Sequence, residues 1–342
     1  MVLGFWDIAV PIVGAPMAGG PGSPALAAAV SNAGGLGFLA AGYLTAEQFA
    51  ADIAAARAAT TGPLGVNLLV PQPSVADFAQ LDYYAEELED IADHYGVEVG
   101  RPEFGDDDDW HRKLEVVADV RPELVSFTFG APPPDVVRRF SALGLLVMVT
   151  VTSAYEAGVA LAAGADSLIV QGPDAGGHRG TFAPDMEPGT ESLHQLIDRI
   201  GRAHRDVALV AAGGLATAED VAGVLRRGAV AAQVGTALLL ADEAGTNPTH
   251  RAALKHPEFT QTLVTRVFSG RYGRGLENRF TRLLDRVAPL GYPEVNHMTA
   301  PIRAAAVEVD DPNGTNLWAG TAFRQARTGP ASDIVASLAA TD

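Results

Sequence analysis

Ten residues near the middle of the chain, Gln171 to Gly180 (QGPDAGGHRG), set one histidine behind two glycines, directly after the apolar run Ser167–Val170. An imidazole near its ordinary pKa is a good general base at neutral pH. Placed on a bare loop at the end of a buried strand, His178 suggests proton abstraction from a ligand lying over that strand end. The glycines of Asp174–Gly177 would let the backbone approach such a ligand closely. The ordinary alternative for any of the 8 histidines is a surface loop or helix position. His94, His111, His194, His204, His250 and His256 read that way, as exposed residues in or near helices.

Two glycine loops add a second chemistry. Ala212-Gly213-Gly214-Leu215 leads to a helix opening at Thr217, and Gln233-Val234-Gly235-Thr236 leads to a helix expected over Ala237–Asp242. Bare backbone N–H groups at helix N-termini make a phosphate cradle. The alternative is a tight turn at Gly213-Gly214 and a plain N-cap at Thr217. Further polar and apolar groups fall at other strand ends. Ala15-Pro16-Met17 is an apolar turn able to flank a planar ring, Asn67 could hydrogen-bond a heterocycle, and Gln171 can donate and accept at once. Each amide alone would more often satisfy a neighbouring backbone group. Together with the loops they point to a large, flat, phosphorylated ligand.

The elements that must position these groups read as parallel β/α units. Eight apolar runs, Pro11–Gly14, Gly35–Ala40, Leu64–Leu69, Leu124–Phe129, Leu145–Val151, Ser167–Gln171, Val207–Ala212 and Ala231–Val234, alternate with alanine-rich helical stretches. They are apolar almost throughout, as strands covered on both faces are. A weak repeat of helix, glycine and strand recurs at Gly34, Gly144, Gly164 and Gly228, where glycine closes a helix C-terminus. The expected fold is an α/β, (β/α)8 TIM barrel over residues 1–241, with reacting groups at the C-terminal strand ends. An insertion at about 71–122 should hold a crossover helix near Ser74–Tyr95 and an exposed acidic loop. Residues 242–342 should form a helical appendage and tail beside the barrel.

Composition narrows the function classes. The chain has 342 residues, 48% hydrophobic and 19% charged, and a formal net charge of −17. That charge disfavours nucleic acid and anionic membranes as partners. The run Asp106–Asp109 reads as a solvated loop rather than a metal site. The absence of cysteine removes disulfides, thiol nucleophiles and Cys-ligated metals. No apolar stretch approaches the roughly 20 residues of a membrane helix, and MVLGFWDIAV lacks the pattern of a signal peptide. A cytoplasmic protein, monomer or homodimer, is expected.

Several of these stretches, in this order, resemble the nitronate monooxygenase family, formerly called 2-nitropropane dioxygenases. They are Pro11–Met17, Gly65–Leu68, Gln171–Gly180, Ala212–Leu215, Gln233–Thr236, Ser269–Asn278 and Asn316–Gly320, so the resemblance spans nearly the whole chain. It implies an FMN-dependent (β/α)8 barrel that oxidises alkyl nitronates, of propionate 3-nitronate type, with O2 to a carbonyl compound and nitrite. The chemistry it implies is one-electron transfer from nitronate to flavin, then reaction with oxygen. By position, Ala15, Pro16, Met17, Asn67, Gln171, Gly176, Gly177, Gly213, Gly214, Gln233, Val234, Gly235 and Thr236 would surround FMN, with Met17 beside the ring system. His178 would take the α-proton of a neutral nitroalkane or position a preformed nitronate. Two departures, Pro173-Asp174 and Tyr272-Gly273, fall near the substrate pocket. An NADH-dependent flavin reductase on the same fold, an enoyl-acyl-carrier-protein or quinone reductase, is the main alternative. A barrel that binds a phosphorylated ligand without redox chemistry is a third reading.

Overall fold

The structure, a computed structural model, describes residues 8–340. Residues 1–7, on which the expectation about a signal peptide partly rests, lie outside the described residues. The strands are β1 (Ile12–Gly14), β2 (Gly37–Ala40), β3 (Leu64–Leu69), β4 (Leu124–Thr128), β5 (Leu146–Val151), β6 (Ser167–Gln171), the two-residue β7 (Gly177–His178), β8 (Ala208–Ala212), β9 (Ala231–Val234), β10 (Thr262–Thr265) and β11 (Gly273–Leu276). Eight of them form one parallel sheet in the order β1-β9-β8-β6-β5-β4-β3-β2. Val13 bridges Leu36, and Gly14 N–H donates to Leu36 O at 2.9 Å, which nearly closes the sheet into a (β/α)8 barrel.

Strand composition follows from burial on both faces. Val13, Leu36, Phe38, Leu124, Met148, Ile169 and Val210 fill the barrel interior as one cluster. Their strand neighbours, among them Ile12, Val66, Val125, Val149 and Leu168, pack in a second cluster with the helices. Adjacent residues on a strand point to opposite faces, so only near-continuous apolar runs serve both clusters. The helix–glycine–strand repeat is real: Gly34, Gly144, Gly164 and Gly228 all have positive φ, between 85° and 103°.

The helices are α1 (Pro24–Asn32), α2 (Ala46–Ala59), α3 (Phe78–Tyr95), α4 (Trp110–Val120), α5 (Pro134–Ala142), α6 (Ala154–Ala162), α7 (Leu193–Ala203), α8 (Ala218–Leu225), α9 (Pro248–Lys255), α10 (Arg279–Leu284), α11 (Glu294–Glu308) and α12 (Ala331–Ala339). The insertion thus contains two helices, and the crossover between β3 and β4 is made by α4, which packs on α2 and β3. The helix expected to cross over, α3, instead joins α11: Leu81, Tyr84, Leu88 and Ala92 bury against Val295, Met298 and Ile302. An apolar stripe shows that a helix must be covered, not by which neighbour.

The acidic run is only partly a solvated loop. Asp106 and Asp107 are exposed, whereas Asp108 accepts from Tyr43 N–H at 3.0 Å and pairs with the buried Lys113 at 2.8 Å. Asp109 accepts from Ala46 N–H, so the loop is tied to the start of α2. After β9 the chain forms α9 to α11 and the antiparallel pair β10–β11. The last helix, α12, returns to the barrel and packs against α1 and α8. Among the described residues no helix is long and apolar enough to cross a membrane.

Gly37 shows how tightly the barrel and its helices fit. A Cβ there would lie 1.9 Å from the carbonyl oxygen of Ala27 in α1, and neither backbone can yield cheaply. Gly37→Ala is expected to destabilise the fold by about 3 kcal/mol, read as a lower urea midpoint; an unchanged midpoint would refute the packing argument.

Candidate active site

One cavity of about 590 Å³ opens at the C-terminal ends of the barrel strands and is roofed by the appendage. Its lining includes each residue singled out around the expected ligand: Ala15, Pro16, Met17, Asn67, Gln171, Gly176, Gly177, His178, Gly213, Gly214, Gln233, Val234, Gly235 and Thr236. The size is that of a small-molecule or cofactor pocket. Five strand ends and one strapped loop therefore bring together residues spread from position 15 to position 236.

His178 is not on a bare, flexible loop. Gly177 and His178 form β7, which pairs antiparallel with β11, His178 opposite Gly273 and Gly177 opposite Arg274. Arg179 N–H donates to Tyr272 O at 2.8 Å, continuing the ladder. From the barrel side, Gln171 clamps the loop: its Nε2 donates to His178 O at 3.0 Å and its Oε1 accepts from Gly180 N–H at 2.9 Å. Gln171 thus spends its carbonyl oxygen and one N–H on the loop and so positions His178, with its second Nε2 proton left over on the cavity lining. Gly176 serves packing too, since a Cβ would sit 2.5 Å from Ala319 C and Gly320 N.

The imidazole is set in an aromatic cage of Trp318, Tyr292 and Phe129, with ring centroids 5.3, 5.6 and 5.7 Å away. Its Nε2 lies 2.8 Å from Ser269 Oγ, which is also 3.2 Å from Arg271 O. When the serine hydroxyl donates to that carbonyl, Nε2 donates to the serine and Nδ1 keeps the lone pair. The expected near-normal pKa is corrected. Burial first, then the positive charges of Arg271 and Arg303, push His178 down to about 3. Its remaining surface faces the cavity, and the ring is neutral throughout the physiological range.

The charges responsible were not singled out from sequence. Arg271 is 1% exposed, stacks 3.8 Å over the Phe129 ring and donates to Thr181 O. Arg303 lines the cavity on the face of α11 that also presents Asn296, Ala300, Ala304 and Val307. Ser269, Trp318, Tyr43 and Tyr292 were likewise missed as site residues. Ser269 and Trp318 lie within stretches that carried the family resemblance, but nothing local marks them as facing a histidine 91 residues away in the chain for Ser269 and farther for Trp318. His250, expected to be exposed, is 5% exposed and lines the cavity. Burial lowers it to about 4, partly opposed by a hydrogen bond with the Trp318 backbone.

The phosphate loops are also reshaped. At the start of α8 the carboxylate of Asp220 accepts from Ala216 and Thr217 N–H, so that helix terminus is closed by its own acid. The helix expected over Ala237–Asp242 is a short 3-10 turn, Thr236–Leu238. What stays open is the loop backbone itself. Among the described residues no protein acceptor takes the N–H of Gly214, Gly235 or Thr236. Gly213 and Gly214 have φ of 107° and 74°, which a side chain would resist. Thr236 Oγ1 accepts from Gly320 N–H at 2.9 Å and keeps its proton to donate. Gln233 Oε1 is buried without a partner. Asn67 Nδ2 is held by Ser126 Oγ and Thr128 Oγ1, leaving Oδ1 as an acceptor.

Set beside known proteins, this arrangement has a family. The nitronate monooxygenase pattern matches residues 4–341, and a nitronate monooxygenase of Pseudomonas aeruginosa is 38% identical over 340 residues, 96% of this chain and 95% of the relative. The chain belongs to the nitronate monooxygenase family. A probable nitronate monooxygenase of Staphylococcus aureus is 31% identical over 97% of this chain and 94% of its own length. The solved nitroalkane oxidase of Streptomyces ansochromogenes superposes with a TM-score of 0.94 at 44% identity, covering 97% and 95% of the two chains. FabK from Thermotoga maritima, with a TM-score of 0.74 at 24% identity over 98% and 93% of the chains, shares the fold. Membership in the nitronate monooxygenase family makes this chain an oxidoreductase.

Two measurements check the site. Ser269→Ala frees the imidazole from its partner and should lower turnover of a neutral nitroalkane about tenfold, with a smaller effect on a preformed nitronate; equal losses would show that Ser269 does not orient a base. The folded pKa of His250 lies below its unfolded value, so the unfolded state takes up the proton first as the pH falls. Its contribution is intact above about 6.5 and is lost toward about 4, at about 1.4 kcal/mol per pH unit. Thermal midpoints should therefore drop from pH 7 to 5 less steeply in His250→Gln than in the wild type.

Proposed function

We propose that the cavity holds FMN and that the protein oxidises alkyl nitronates, of propionate 3-nitronate type, with O2 to a carbonyl compound and nitrite. The observation that carries this reading is a histidine, fixed by strand pairing and kept neutral by burial and the charges of Arg271 and Arg303, facing a cavity whose lining also offers unpaired loop N–H groups. The residues fit the cofactor. The N–H groups of Gly214, Gly235 and Thr236, with the Thr236 hydroxyl, suit a phosphate. Gln233 Oε1 lacks a partner and Asn67 Oδ1 is free to accept, which suits the donors of a polar heterocycle. Ala15, Pro16 and Met17 supply an apolar wall.

Bound there, FMN would supply the one-electron oxidation that precedes reaction with O2. The chain's own share is binding, orientation and charge. With a neutral nitroalkane, the lone pair of His178 takes the α-proton. The charges of Arg271 and Arg303 oppose protonation of the free imidazole but favour the nitronate anion that results, so product and field match. With a preformed nitronate no proton need move, and His178 orients it. Trp318, Phe129 and Tyr292 keep water from the ring. A cytoplasmic enzyme, monomer or homodimer, acting on a small molecule is part of the same reading.

In an anaerobic titration, propionate 3-nitronate should bleach the absorbance of bound flavin while NADH leaves it unchanged. Bleaching by NADH alone would make the protein a flavin reductase. His178→Asn should cut turnover of neutral nitroalkanes 100-fold or more, on the order of a general base's contribution, and largely spare preformed nitronates. Because the folded site holds His178 unprotonated down to about 3, kcat/KM for a neutral nitroalkane should show no histidine limb between pH 5 and 8.

A further inference from the structure

Among the described residues Arg303 has no carboxylate partner. Its Nε donates to Thr299 Oγ1 at 3.1 Å, one Nη1 proton goes to Asn316 Oδ1 at 3.0 Å, and Nη2 donates to Asn296 O and Oδ1 at 2.9 and 2.8 Å. Every one of these acceptors is neutral. The charged or titratable groups that act on it most are the tyrosines 43, 292 and 84, whose pKa values are raised above the ordinary phenol value, so all three are neutral at physiological pH. Thus among the described residues no carboxylate pairs with the guanidinium, although the chain as a whole carries a net charge of −17.

The neighbouring amides sharpen this. Asn296 and Asn316 both turn their oxygens to Arg303, which leaves both Nδ2 groups as donors; among the described residues neither has a protein acceptor. A guanidinium has five N–H bonds, so one on Nη1 remains as well. Asn296, Arg303 and Asn316 all border the cavity. Free N–H donors around an unneutralised charge, with no free acceptor among them, suit a planar oxyanion.

We propose that Arg303, with Asn296 and Asn316, forms an oxyanion-binding cradle on the substrate side of the cavity. This rests on the reading that the cavity binds FMN and a nitronate. The oxyanion is a group of the substrate: either a carboxylate at its far end or the oxygens of the nitronate itself. Arg303 is a specificity-determining residue, since it fixes which anionic group of the substrate the cradle holds. Arg271 does not share the task, because its guanidinium lies on the Phe129 ring and donates to Thr181 O.

Nitrate, a planar oxyanion that is not turned over, is the probe. Calorimetric titration of the FMN-loaded enzyme with nitrate should give saturable binding. Arg303→Met should weaken it roughly 10- to 100-fold, as for loss of a charged hydrogen-bond donor, and Arg303→Lys should weaken it less, because charge remains and the fork is lost. Asn316→Ala, which keeps the charge and the remaining partners of Arg303, should weaken it severalfold and covers the case in which Arg303→Met does not fold. KM for propionate 3-nitronate and for propane-1-nitronate separates the two sources. A rise in Arg303→Met confined to the carboxylated substrate places the carboxylate in the cradle, and an equal rise for both places the nitronate there. Nitrate affinity unchanged in Arg303→Lys and Asn316→Ala would overturn the proposal, as would loss of FMN from these variants with nitrate binding intact. Arg303-dependent nitrate binding in an enzyme inert toward nitronates would leave the cradle standing and refute the proposed function instead.

Discussion

The site depends on a pairing of two residues with two. Gly177 and His178 leave the barrel after β6 and are caught by Gly273 and Arg274 of β11, about 95 residues later in the chain. Antiparallel pairing fixes both the height of His178 above the barrel mouth and the direction of its side chain. Because β11 also pairs with β10, the histidine is borne by a three-stranded sheet rather than by a loop. That sheet brings Ser269, Trp318 and the α11 face to the cavity from the appendage, while the barrel supplies Asn67, Gln233 and the glycine loops. Neither half contains a complete site.

Electrostatics then follows from enclosure. The protein is strongly acidic, yet its cavity is governed by Arg271 and Arg303. The buried acid nearest in effect, Glu156, has its carboxylate occupied by Thr152 N–H, the Thr152 hydroxyl and Phe182 N–H. In a low-dielectric enclosure such charges act over longer distances than at the surface. They hold the imidazole neutral and make the space hospitable to an anion. The same enclosure that costs desolvation of the guanidinium groups is what would favour an anionic ligand.

Much of the fold was legible because the physical signals are local. Strands covered on both faces must be apolar throughout, and helices that stop at a left-handed glycine mark each return to the sheet. All eight expected barrel strands occur, with ends shifted by no more than two residues. The insertion was misread where locality fails. α3 and α4 both carry apolar stripes, and which one crosses over depends on α11, two hundred residues further on. The helix expected after β9 shrank to a 3-10 turn because an alanine- and leucine-rich stretch favours burial as readily as it favours helix.

In the candidate site, the sequence by itself determined the residues whose types announce themselves at strand ends: His178, the glycines of the two loops, Asn67, Gln171 and Gln233. Strand ends are predictable, and the barrel brings its C-terminal strand ends to one mouth, so their convergence follows from topology alone. Only the tertiary structure decided what each does. It turned the Gln171 amide inward as a clamp, closed the α8 terminus with Asp220 and buried His250. It also set Ser269 and Trp318 against the imidazole and brought the charges of Arg271 and Arg303 to bear on it. Those four lie in the appendage, and their approach rests on a strand pairing and a helix face formed across long sequence separations. Hydrogen-bond partners, burial and field are properties of that assembled environment, which no local pattern of residues encodes.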